Sequence, residues 1–143
     1  MKEDGVTRLE EIARPYGLEA VYAFGSRAKE AAALLRGEAT CSAHPESDVD
    51  MGVRVKAGAK FGPSECAQIT LQIEDLLGVS RVDLVILQET DPFLAAEIIR
   101  GELLYAEDPD REARYELYVL RRAGDLLPFK KERIRMIMEE GAR

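Results

Sequence analysis

Two aspartates, Asp48 and Asp50, stand one residue apart in the segment SDVDMGV. Side chains alternate across a strand, so residues two apart share a face. Asp48 and Asp50 therefore point together, while Val49 and Met51 turn to the other side. Two neighbouring carboxylates repel each other unless a cation sits between them. Magnesium is the natural cation, because it takes hard oxygen ligands. The competing reading is a solvated strand start carrying two surface aspartates.

A third carboxylate, Asp83, interrupts the apolar run VDLVIL. Burying a lone carboxylate in such a strand is costly without a partner. Two partners are open: a salt bridge to Arg81 or Arg54, or a metal site beside the other two aspartates. The third feature is Phe24-Gly25-Ser26, where a strand ends and a helix begins. A helix N-terminus presents N–H groups and positive dipole, which suit phosphate. Gly25 would let the phosphate come close to the backbone. Gly-Ser is also an ordinary turn and cap, so this feature is weak alone.

The elements that must position these residues can be read from the punctuation. Residues 3–14 have helical periodicity, ended by Pro15 and Gly17. Leu18 to Phe24 reads as a strand, and residues 27–36 as an Ala-rich helix capped by Gly37. Residues 38–47 have loop composition. Val49 to Val55 is a strand. Pro63 opens a helix that Gly78 stops, with Ala67, Leu71, Leu76 and Leu77 as its apolar set. Val82 to Leu87 is nearly continuous and β-branched, which predicts a central strand buried on both faces apart from Asp83. Asp91-Pro92 and Asp108-Pro109 are paired N-cap and first-turn signals for two more helices. Glu102 to Tyr105 is a short strand between them. Pro128 is expected to break the second of these helices, leaving a last charged one over 130–140. The fold class is α/β (α+β): a mixed sheet of about four strands with helices packed on it. The expected division is a core over 1–106 and a helical extension over 107–143, packed on the core or on a partner.

The chain of 143 residues carries a net charge of −7. Residues 107–143 hold nine Lys/Arg and nine Asp/Glu, so the excess lies entirely in residues 1–106. Such a core is repelled by bare phosphate, which argues against general nucleic-acid binding. It can accept a nucleotide if divalent cations intervene. Two cysteines, Cys41 and Cys66, and the one histidine, His44, are too few for a structural zinc site. No apolar run approaches the ~20 residues of a membrane span. The N-terminus lacks the apolar stretch of a signal peptide, and the expected location is the cytoplasm.

Taken in order, YAFGSRA, SDVDMGV and VDLVIL resemble the polymerase-β-like nucleotidyltransferase superfamily. Within it they are similar to the minimal nucleotidyltransferase (MNT) branch, the antitoxin half of HEPN–MNT toxin–antitoxin pairs. The resemblance covers roughly residues 18–106. It implies that Asp48, Asp50 and Asp83 hold magnesium, as two ions shared among them. It implies that Gly25 and Ser26 hold the phosphates of ATP, with Arg27 beside them. It also implies that Asp83 helps deprotonate an acceptor hydroxyl. One departure stands out: residues 27–47 place 21 residues between Ser26 and Asp48, more than in most members.

The resemblance further implies transfer of AMP onto a protein hydroxyl, a tyrosine of a HEPN-type toxin. Two other readings stay open. One is transfer to a small cationic molecule such as an aminoglycoside, although little chain remains to build its site. The other is a non-catalytic module that silences a toxin by covering it, which gives three converging carboxylates no purpose.

Overall fold

Asp91 and Asp108 act as the sequence predicts. The Asp91 carboxylate accepts from the N–H groups of Phe93 and Leu94 at 2.9 and 3.0 Å. Asp108 accepts from those of Asp110 and Arg111 at 3.1 and 3.2 Å. Each carboxylate satisfies donors that a helix start leaves without an intrahelical acceptor. The computed structural model describes residues 5–39 and 48–141. Its elements are α1 (Gly5–Ala13), β1 (Leu18–Phe24), α2 (Ala28–Arg36), β2 (Val49–Val55), α3 (Pro63–Leu77), β3 (Val82–Ile86), α4 (Pro92–Ile99), β4 (Glu102–Ala106) and α5 (Pro109–Gly141). Cys41 and His44 lie outside the described residues.

The four strands form one mixed sheet in the order β3-β2-β1-β4. Strand β1 is antiparallel to both β2 and β4, and β2 is parallel to β3. A register shift between Leu18 and Ala20 changes the alternation of β1. Leu18, Val21 and Ala23 consequently join one core with Met51, Val53, Ile69 and Ile73. Ala20 and Tyr22 join a second core, on the other face, with Ile98 and Val119. Helices α1, α2 and α3 thus cover one face of the sheet, and α4 with the start of α5 covers the other.

Three sequence expectations need correction. Strand β3 is not central: among the described residues it pairs only with β2 and forms an edge, and four of its five residues are half-buried. An apolar run reports that side chains are covered, but cannot say whether a backbone neighbour lies on both sides. In α3 the buried positions are Ile69, Ile73 and Leu77, while Leu71 is 66% exposed. The apolar stripe is set by the face turned to the sheet, which Leu71 misses. Pro128 does not break the last helix; α5 runs from Pro109 to Gly141 with Pro128 inside it. Proline removes one N–H and crowds the carbonyl four residues earlier. That earlier residue is Gly124, and the helix carries on through both.

A buried polar network fastens α5 to the sheet. Glu112 is fully buried. Arg54, from β2, donates to Glu112 Oε1 through Nε at 2.9 Å and Nη2 at 2.5 Å. Arg54 also pairs with Glu19 and lies 4.5 Å from the centroid of the Tyr115 ring. Tyr22 Oη lies 2.5 Å from Glu112 Oε2 and 2.8 Å from Glu116 Oε2. Among the described residues, no buried side-chain polar atom lacks a hydrogen-bond partner. A buried charge is tolerated on that condition.

Candidate active site

Asp50 is the second residue of β2 and stands opposite Phe24 of β1 and Asp83 of β3. Neighbouring strands lie about 4.8 Å apart, so Asp50 and Asp83 project side by side. Both lie on the sheet face that α4 covers, the face of Gly52 and Val85. Asp48 precedes Asp50 by two residues and lies at the strand entrance. Arg54, also on β2, is committed to Glu19 and Glu112. The partner of Asp83 is instead Arg81, whose Nε lies 3.4 Å from Asp83 Oδ1 and 3.8 Å from Asp48 Oδ1. Asp83 is accessible rather than sunk in the core, its side chain 44% exposed.

Burial raises the Asp50 carboxyl above the ordinary aspartate range, and the charges of Asp83, Asp48 and Glu97 raise it further. The cluster therefore carries more negative charge than Arg81 relieves. No group of three or more His, Cys, Asp or Glu side chains among the described residues is gathered tightly enough to hold an ion. The carboxylates are close enough for Asp83 and Asp48 to raise the Asp50 carboxyl, without converging on a common point. An all-oxygen donor set with excess negative charge fits a hard divalent cation.

Gly25 is fitted to this cluster. Its φ of 78° is left-handed, and a Cβ there would lie 2.9 Å from Asp50 Oδ2. The backbone of the turn can thus lie against the carboxylate only without a side chain. Ser26 follows, exposed. The N-cap residue of α2, Arg27, makes no side-chain capping hydrogen bond. Arg27 turns inward: it is buried, and its Nε donates to Glu30 Oε2 at 3.1 Å. Lys29 is the exposed cation beside the turn.

Helix α4 supplies a wall that the sequence reading did not include. Its approach to β2 is close, since a Cβ on Gly52 would lie 2.8 Å from Ile98 Cγ2. Phe93, Glu97 and Arg100 are spaced to share the face of α4 opposite the buried Ile98 and Ile99. A cavity of about 750 Å³ joins these three to Gly25, Ser26 and Lys29. The spacing over 93, 97 and 100 was visible in the sequence. What was missing was the packing of that helix beside the Gly-Ser turn.

The comparisons with known proteins agree with this architecture. A family model described as "Polymerase beta, Nucleotidyltransferase" matches residues 7–110. A structure described as a toxin–antitoxin with AMP-PNP superposes with a TM-score of 0.65 at 18% identity, covering 93% of this chain and 98% of that one. A chain from the complex of a tri-AMPylated Shewanella oneidensis HEPN toxin with its MNT antitoxin gives 0.64 at 14% identity, covering 94% and 96%. A further structure, described as a minimal nucleotidyltransferase, gives 0.50 at 27% identity over 68% of this chain and 85% of that one. No curated protein matches. The family match spans most of the chain, including the Gly-Ser turn and all three aspartates, and the protein belongs to the polymerase beta nucleotidyltransferase family.

Proposed function

We propose that the protein transfers AMP from ATP to a hydroxyl of a protein partner, a tyrosine of a cognate HEPN-type toxin, and thereby acts as an antitoxin in the cytoplasm. The observation that supports the reading is that Asp50 and Asp83 stand side by side, Asp50 against the Gly25 turn, with Asp48 at the strand entrance. A fold shared with chains from HEPN–MNT complexes supports the choice of partner.

In the proposed reaction the acceptor oxygen attacks the α-phosphorus of ATP. The new O–P bond forms as the bond from that phosphorus to the bridging oxygen breaks, and pyrophosphate leaves with the electron pair. Asp83, exposed at the strand start, takes the proton from the acceptor hydroxyl. Gly25 and Ser26 hold the phosphates against the N-terminus of α2, fixing the line of attack. Asp48, Asp50 and Asp83 would hold magnesium, which supplies neutralisation of the charge that builds on the phosphates. Arg27, buried against Glu30, supports the turn from below.

The test is to incubate the purified protein with a HEPN-type toxin from the same organism, ATP and magnesium, and to measure the mass of the toxin. The expected result is addition of whole AMP units, mapped to tyrosine and lost in EDTA. An unmodified partner that is nonetheless bound and silenced would favour simple masking and overturn the transferase reading.

A further inference from the structure

Helix α5 is 33 residues long, about 50 Å at the usual rise, and the sheet uses only its beginning. Among the described residues, Val119 is the last buried one in α5, and Ala123 packs against the same core. Leu120, Leu127, Ile134, Ile137 and Met138 are all exposed. Leu120, Leu127 and Ile134 are seven residues apart, and Ile137 follows Ile134 by three. That spacing is the apolar seam of a helix that packs along another helix. A groove of about 820 Å³ runs between α4 and this distal half of α5, with Phe93 and Leu94 on one wall and Ile134 and Ile137 on the other. The charges are divided in the same way. Asp91 and Glu97 lie on the α4 side, and Arg133 on the α5 side. Among the described residues, Arg133 forms no ion pair across the groove. The distal helix is basic, with four Lys/Arg and one Glu over residues 126–138.

We propose that this surface pairs two copies of the chain, the distal half of each α5 lying in the α4–α5 groove of the other. A closed two-fold dimer needs one patch that complements itself. This patch holds both halves of each contact: an apolar groove with an apolar seam to fill it, and an acidic wall with a basic helix to meet it. In the pair, Arg133 of each copy faces Glu97 of the other, and Ile134 and Ile137 leave water. A different protein would have to supply both complements, whereas a second copy brings them with the groove. Phe93 and Glu97 also line the cavity beside the Gly25-Ser26 turn, so α5 of the second copy borders the candidate site.

Light scattering on the full chain alone, across micromolar concentrations, reads the state directly. Wild type is expected at twice the chain mass. Ile134→Asp should halve that mass at an unchanged melting temperature of the monomer core. Glu97→Arg and Arg133→Glu, each purified separately, should both be monomeric, since each sets like charges against one another in both symmetric contacts. Mixed together they should return to twice the chain mass, because a pair made of one of each has opposite charges in both. Wild type at single chain mass throughout would overturn the proposal. So would a dimer that survives Ile134→Asp, which places the contact elsewhere. A mixture that stays monomeric would overturn the pairing of the two walls. A single-mass wild type whose binding to a HEPN-type toxin is lost in Ile134→Asp would assign the groove to the toxin instead.

Discussion

Asp50 and Asp83 are register partners across the parallel pairing of β2 and β3, two like charges held side by side by backbone geometry. The same sheet that brings them together also keeps them from turning away, because their neighbours Met51 and Val82 are buried in the opposite core. The repulsion is thus built into the fold and is relieved by lowering the charge or supplying a cation.

Replacing Asp50 with Asn, or Asp48 with Asn, is expected to leave stability equal or raised at neutral pH and to stop AMP transfer. The pH dependence of the first follows from the raised Asp50 carboxyl. The folded state binds its proton more readily than the unfolded state, so wild-type stability rises as pH falls through the folded value. Asp50→Asn lacks that dependence. Its advantage in urea melts should therefore be largest at neutral pH and shrink on acidification; an advantage that grows on acidification would mean Asp50 is stabilised as the anion.

Asp83→Asn tests whether this aspartate serves the fold. Its pairing with Arg81 is exposed at both ends, 67% and 44%. Such pairs contribute about 0–1 kcal/mol, well short of the cost of stranding a buried arginine. Without magnesium, the melting temperature should change little. The stabilisation that magnesium and ATP give together should shrink, and transfer should cease. A large loss of stability with the full magnesium effect retained would return Asp83 to a structural role.

Gly25→Ala should impair nucleotide binding more than folding. The left-handed backbone disfavours alanine by about 1 kcal/mol. The added methyl also meets the Asp50 carboxylate, a clash that the carboxylate can relieve by rotating. Calorimetry should show weakened ATP binding in a protein that still folds. Wild-type ATP affinity in this variant would show that the turn does not need to touch Asp50.

Glu112→Ala addresses the second face. It removes the carboxylate that Arg54 and Tyr22 both engage in a buried setting. Breaking a buried pair from one side costs about 3–5 kcal/mol, reduced here to the extent that Glu19 still accompanies Arg54. Denaturant melts should show the largest loss of any variant considered. A loss below about 1 kcal/mol, the range of an exposed pair, would mean that α5 is held by its apolar contacts alone.

The sequence by itself determined most of the elements and the residue types available to the candidate site. Strand alternation put Asp48 and Asp50 on one face, and local caps such as Asp91 and Asp108 announced their helices, because these signals act within a few residues. The order of the Gly-Ser turn, the paired aspartates and Asp83 sufficed for a family resemblance. Relations between distant segments were decided only by the tertiary structure. VDLVIL reads the same whether it lies inside a sheet or at its edge, since coverage by helices and pairing by strands both favour apolar residues. Arg27 and Lys29 are both cations near one turn, and only the packing of α2 buries the first and leaves the second at the cavity. Glu97 and Arg100 lie 47 and 50 residues beyond Asp50 in sequence, on a helix and at its C-cap, which Gly52 allows to settle against the sheet. Their place beside the site follows from that close approach, which no local pattern records.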